Sequence, residues 1–258
     1  MKLITRPILI ALASVLLASC VTVTDGVTPA RPATDREQAQ ANLALGVGYL
    51  QQQRPDLAIE ALLRAIDFEP RMADAHSTIA LAYDQTGDAE LAEEHHRRAT
   101  QLEPANPIAQ NGFAVFLCRQ NRWEDAEPYF RRAISNAGAG SPVNAMLNAG
   151  LCARGAGDLE SAEEFFRAVL GIEIVNPAAL RAMIDLSVRT ENYVGGRAFW
   201  QRLEQSASVE SQDLLFCYMI ERELQAARAA DECAARLRRE FPQSAALSQL
   251  RRMESDGR

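Results

Sequence analysis

The sequence predicts an all-α superhelix of about six helix-turn-helix units, closed at its C-terminal end by a capping helix. Three observations carry this. From Ala39 onward, the pattern of small, large and proline residues returns every 34 residues. Alanine is abundant while aromatics make up 6% of the chain, a balance that suits packed helices better than sheets, which draw on β-branched and aromatic side chains. Pro70, Pro104 and Pro242 fall near the ends of the second helices of the first, second and sixth units, where proline lacks a backbone donor and restricts its predecessor.

The first 19 residues stand apart from this pattern. Lys2 and Arg6 precede the apolar run Ile8 to Leu17, which is too short for a comfortable span of a bilayer roughly 30 Å thick. Leu17-Ala18-Ser19-Cys20 follows, and this segment resembles a bacterial lipoprotein signal peptide. The resemblance implies that Cys20 is the lipidated first residue of the mature chain. An ordinary secretory signal, with Cys20 left as a thiol, is the rival reading. Val21 stands where Asp favours retention in the inner membrane, so the expected destination is the outer membrane, facing the periplasm. Two or more acyl chains hold a protein there stably, where one does so only marginally.

Loss of Lys2 and Arg6 takes the formal charge from -7 to -9, and an acidic surface argues against nucleic acid. With 24% charged and 48% hydrophobic residues, the remainder has a folding composition. From Cys20 to about Asp35, Gly26, Pro29 and Pro32 interrupt any helical or strand period. The segment reads as a flexible tether, with the folded body from residue 36 onward. At roughly 3.3 Å per residue it spans some tens of ångströms.

The repeats are expected near 39–72, 73–106, 107–140, 143–176, 177–210 and 211–244. Leu45, Gly46, Tyr49, Ala58, Leu62, Ala65 and Pro70 of the first are matched in the second by Ile79, Ala80, Tyr83, Ala92, His96, Ala99 and Pro104. Phe113, Ala114, Leu117, Ala126, Phe130 and Ala133 continue the series. These are the positions of a tetratricopeptide repeat. Small residues let the paired helices approach, and large ones fill the space beside each contact. Gly87-Asp88 supplies a turn residue that tolerates the left-handed region. After the third unit the register slips by two residues, through a loop with Gly138, Gly140, Ser141 and Pro142, and restarts with Gly150, Ala162 and Phe166. Gly196 and Trp200 mark the fifth unit, Ala230 and Pro242 the sixth. Ser244 to about Glu254, with Ala246, Leu247, Leu250 and Met253, forms the cap.

No catalytic constellation is present, and neither cofactor, metal nor small-molecule substrate is expected. None of the three histidines lies in a metal or phosphate motif. His95 and His96 point about 100° apart on a helix, and His96 reads as a packed, satisfied side chain at a large-residue position. Glu93-Glu94 and Glu163-Glu164 read as solvated helix faces. Four cysteines remain after Cys20 in an oxidising compartment. Cys118 with Cys152 joins neighbouring repeats, and Cys217 with Cys233 joins the two helices of the sixth. The first pair is favoured, and four small buried thiols remain the alternative.

The functional surface expected is the concave face, built from the first helix of each repeat. Leu43, Val47, Leu50, Leu81, Ile108 and Val115 make an apolar groove there, rimmed by Asp74, Asp84 and Asn111. An uncovered apolar groove suits a partner's apolar segment, as a helix or an extended peptide. The competing reading has Arg36 to Ala41, or the superhelix itself, cover these side chains.

Leu45-Gly46-Val47-Gly48-Tyr49-Leu50, Asn111-Gly112-Phe113-Ala114-Val115-Phe116-Leu117-Cys118 and Asn148-Ala149-Gly150-Leu151-Cys152 resemble the type IV pilus biogenesis and stability family called PilW or PilF. The two Leu-Cys endings are more specific than the repeat consensus. Coverage is nearly full length, with units five and six matching only in layout. The resemblance implies a non-enzymatic pilotin, an outer-membrane lipoprotein that binds subunits of the pilus secretin and promotes their targeting and multimerisation. A general periplasmic scaffold recruiting envelope or peptidoglycan machinery shares the lipobox and the repeat, and is the alternative.

Overall fold

A computed structural model describes residues 33–138 and 140–256. The signal segment, Cys20 and nearly all of the tether lie outside the described residues. The body from Thr34 onward contains thirteen helices and, among the described residues, no strand. They are α1 (Asp35–Gln51), α2 (Pro55–Phe68), α3 (Ala73–Thr86), α4 (Ala89–Leu102), α5 (Pro107–Arg119), α6 (Trp123–Ser135) and α7 (Val143–Ala156). There follow α8 (Leu159–Ile172), α9 (Pro177–Arg189), α10 (Tyr193–Ser206), α11 (Ser211–Glu223), α12 (Ala227–Glu240) and α13 (Ala245–Asp256). Six helix pairs and a final helix make a tetratricopeptide superhelix.

The body begins slightly earlier than its sequence suggests. Thr34 accepts the amide of Glu37, and the Glu37 carboxylate accepts the Thr34 amide at 2.7 Å, a reciprocal cap that starts α1 at Asp35. This moves the edge of the expected tether back to Thr34.

Each pair is closed by the same device. Its turn contains one left-handed residue, and the amide of the residue that follows returns to a carbonyl five residues back. These bonds run from Arg54 to Tyr49, Asp88 to Tyr83, Arg122 to Leu117, Asp158 to Ala153, Asn192 to Ser187 and Ala226 to Glu221, all between 2.8 and 3.0 Å. They satisfy carbonyls that a helix end leaves orphaned. Glycine holds the left-handed position at Gly87 and Gly157, whereas Gln53, Asn121, Glu191 and Gln225 hold it elsewhere. The fifth-carbonyl bond and the cooperative pair around it hold those four side-chain-bearing residues in a region they seldom visit.

Close approach within pairs rests on missing side chains. A Cβ on Gly46 would lie 2.5 Å from Leu62, and one on Gly150 would lie 2.6 Å from the Phe166 ring. Phe113, Phe116, Phe130 and Phe166 fill the space between successive pairs. Ala246, Leu247 and Leu250 of α13 bury against the last pair and close that end. The opposite end stays open. Ile79 packs with Ala58 and Leu62 of the pair before it, but α1 has no preceding pair among the described residues, and Leu45 at the equivalent position is 52% exposed.

First helices pack closely on first helices along the whole row, α1 on α3 through to α11 on α13, whereas second helices meet the next second helices through side chains such as Trp123 with Phe165 and Arg236 with Glu204. The stack therefore bends with its first helices inside. Buried carboxylates key the later pairs together: Asp213 accepts from Arg181 at 3.1 Å, and Glu221 is paired with Arg197. Of the acidic residues read as solvated faces, three are also ion-paired at the surface, Glu93 with Arg97 and Arg122, Glu163 with Arg167 and Glu164 with Arg131. Exposed pairs of this kind add little stability.

Candidate functional site

Two first helices build the deepest part of the concave face. Ser77, Leu81 and Asp84 recur at i, i+4 and i+7 on α3, and Ile108, Gly112, Val115 and Arg119 continue the same spacing on α5, so each set forms one stripe. Between the stripes lies a hollow of about 330 Å³, floored by His96 and Phe116 and closed at one side by Asn148 of α7. Leu81 is 43% exposed and Ile108 is 78% exposed, so neither wall is sealed by the fold. A second hollow of about 400 Å³ shares Ile108 and Asn111 and runs on to Ser141, Pro142 and Asn144, beside the loop that carries the two-residue slip. The two form one groove.

Of the six side chains expected to line it, the structure brings Leu81, Ile108 and Val115 together. Leu43 and Leu50 are half-buried against the cluster of Ala58, Leu62, Ile79 and Ala82 and belong to the packing of the first two pairs. Val47 is exposed on α1 but does not line either hollow. Asp84 and Asn111 rim the groove as expected, and Asp74 does not. The rim is internally satisfied: Arg119 pairs with Asp84, and Asn148 donates to the Asn111 side-chain oxygen at 3.1 Å.

His96 corrects a reading of the sequence. It is packed, stacking at 5.7 Å on Phe113 and 5.3 Å on Phe116, but it is not satisfied, because its buried Nε2 has no hydrogen-bond partner. Burial, reinforced by the positive charge of a protonated His95 and of Arg119, lowers its pKa to about 4. The ring is neutral at pH 7. An unfolded chain takes up this proton near the ordinary value of 6.5, so stability is full above that pH and is lost as pH falls toward 4. The loss from His96 alone amounts to about 3 kcal/mol at pH 4. His96→Phe, which places the ring found at Phe130 and Phe166, should flatten the profile; urea midpoints measured from pH 7 to 4 check this, and equal slopes in both proteins would contradict it.

His76 and His95 pair away from the groove. The carbonyl of Pro70 can only accept, so His76 Nε2 donates to it at 3.1 Å, which leaves His76 Nδ1 to accept from His95 Nδ1 at 2.9 Å. Burial lowers both pKa values, in the same acid-labile direction as His96. Among the described residues, no three His, Cys, Asp or Glu side chains converge on a metal-sized site. Cys118 on α5 is bonded to Cys152 on α7, with Cα atoms 5.7 Å apart, and Cys217 on α11 to Cys233 on α12, at 6.0 Å.

Residues 33–75 and 43–107, and again 107–172, match the tetratricopeptide repeat family. The type IV pilus assembly protein PilF of Pseudomonas aeruginosa is 26% identical over 240 residues, which cover 93% of this chain and 95% of that protein. The chain belongs to the tetratricopeptide repeat family and is similar over nearly its whole length to PilF. In fold it is similar to a solved structure of P. aeruginosa PilF, with a TM-score of 0.71 at 24% identity over 85% of this chain and 99% of that one. The structure of PilW, described as a widely conserved type IV pilus biogenesis factor, gives a TM-score of 0.71 at 24% identity over 82% and 97%.

His96 Nε2, Gly112, Phe116, Arg119 and Asn148 were not among the residues expected in the groove. The α5 stripe was legible in principle from Ile108, Gly112 and Val115 at helical spacing. A polar residue at a position filled elsewhere by Leu62, Phe130 and Phe166 was the other signal.

Proposed function

We propose that this chain is an outer-membrane lipoprotein pilotin that binds secretin subunits and promotes their targeting and multimerisation in type IV pilus biogenesis. The lipid on Cys20 ties it to the membrane, the segment up to Thr34 spaces the body from the bilayer, and the groove captures an apolar stretch of the secretin. Kinship with PilF supports the pilus setting. The observation that carries the binding role is the uncovered apolar wall of Leu81, Ile108 and Val115, flanked by polar groups that are already partnered. Such a surface gains by docking apolar side chains and loses nothing by keeping its rim wet.

Deletion of the gene tests this. Heat-resistant secretin multimers in the outer-membrane fraction should fall sharply, recover with the wild-type gene, and stay low with Cys20→Ser, which releases a folded chain into the periplasm. Multimers unchanged in amount and location on deletion would remove the pilotin reading and leave the general periplasmic scaffold.

A further inference from the structure

We propose that the hollow over His96 is a subsite for a phenolic side chain, a tyrosine of the captured segment, whose ring lies among Leu81, Ile108 and Val115 and whose hydroxyl hydrogen-bonds His96 Nε2. This deepens the groove reading and rests on it.

The floor is the first reason. A buried nitrogen without a partner is costly, and apolar side chains fill the same place in neighbouring pairs at Leu62, Phe130 and Phe166, all fully buried. Packing therefore does not require a polar ring here. The opening is the second. Gly112 sits inside α5, where alanine would favour the helix more, and a Cβ there would meet His96 Cε1 at 3.7 Å, an ordinary contact. Alanine would thus fit and cover the imidazole edge next to Nε2. Glycine places no side chain of its own between that edge and the groove.

Size and charge narrow the occupant. The hollow of about 330 Å³ exceeds the roughly 150 Å³ cavity that holds a benzene ring. Its walls are apolar, which excludes an ion. Asp84 and Arg119 neutralise each other at the rim, and Asn111 and Asn148 bond each other, so the unsatisfied group is the neutral imidazole. A phenylalanine or leucine would fill the space and leave Nε2 unpaired. A phenol both donates and accepts, so it matches either tautomer of the ring.

The test titrates the full chain with p-cresol, toluene and 3-methylindole as side-chain probes, following the ¹⁵N resonances of the His96 imidazole. The expected result is p-cresol binding at least fivefold tighter than either other probe, with a shift at Nε2. In His96→Phe the preference should vanish while the aromatic probes still bind, and in Gly112→Ala p-cresol should weaken by fivefold or more; helix content and thermal midpoint verify that both variants fold. Equal affinities in the wild type, no binding of any probe, stronger binding of 3-methylindole, or a preference that survives His96→Phe would each overturn the proposal. Co-precipitation of the secretin by the wild-type chain, run in parallel, separates the two readings: capture without phenol preference removes the tyrosine alone, and phenol preference without capture removes the pilotin role alone.

Discussion

Leu81→Glu combined with Ile108→Glu is expected to abolish co-precipitation of the secretin, with helix content and thermal midpoint close to wild type. Both side chains are substantially exposed in the free protein, so the two carboxylates remain hydrated there and folding is little affected. The cost appears on docking. An apolar segment laid in the groove strips water from two carboxylates that lack new partners, because Arg119 is engaged with Asp84. Central contacts of an interface are worth about 2 kcal/mol or more each, so the double change removes about 4 kcal/mol and weakens capture by roughly a thousandfold. Val194→Glu is the control, since Val194 is 73% exposed on α10 and lies outside the groove. Capture that survives the double substitution, or that falls equally with Val194→Glu, would refute docking at this surface.

Opening the Cys118–Cys152 bond has the largest expected effect on stability. The bond closes a loop with a sequence separation of 34 and ties α5 to α7, two consecutive first helices. By loop-closure entropy a crosslink of this span stabilises by about 4 kcal/mol, against about 3 kcal/mol for the 16-residue separation of Cys217 and Cys233. Joint replacement of Cys118 and Cys152 by alanine should therefore lower the urea midpoint more than the same change at Cys217 and Cys233, with a steeper transition as the unfolded chain becomes less compact. A variant within about 1 kcal/mol of wild type would show that packing across α5 and α7 already supplies the constraint.

The repeat was legible because its signals are local and recur. Gly46 and Gly150 mark close helix approaches, Pro70, Pro104 and Pro242 fall just beyond helix ends, and the slip after the third unit appears in the turn bonds, whose donors advance by 34 residues except for the step of 36 from Arg122 to Asp158. The edges of the groove were less legible for a physical reason. On α1, Leu43, Leu45, Val47 and Leu50 are apolar around much of the helix, and only the neighbours decide which is covered. Leu43 and Leu50 turn to the second pair, while Leu45 is left outside because nothing precedes it in the stack. The four side-chain-bearing residues at left-handed turn positions carry no glycine to announce them. The reciprocal cap of Thr34 and Glu37 did have its sequence signature, Thr-Asp-Arg-Glu, but it abuts a proline-rich stretch that drew the boundary two residues too late. His96 was placed correctly in the core; that its nitrogen would lack a partner depends on three helices meeting, which no spacing rule contains.

The inner helices lie backbone to backbone while the outer ones meet through longer side chains, which makes the body a leaf spring, hinged along its inner edge. Flexing widens or narrows the trough by sliding outer contacts such as Arg131 with Glu164 and Arg236 with Glu204. The sulfur bridge between α5 and α7 rivets that spring at mid-length. Give is thus confined to either side of the rivet, and the jaw formed by α3 against α5 lies on its N-terminal side.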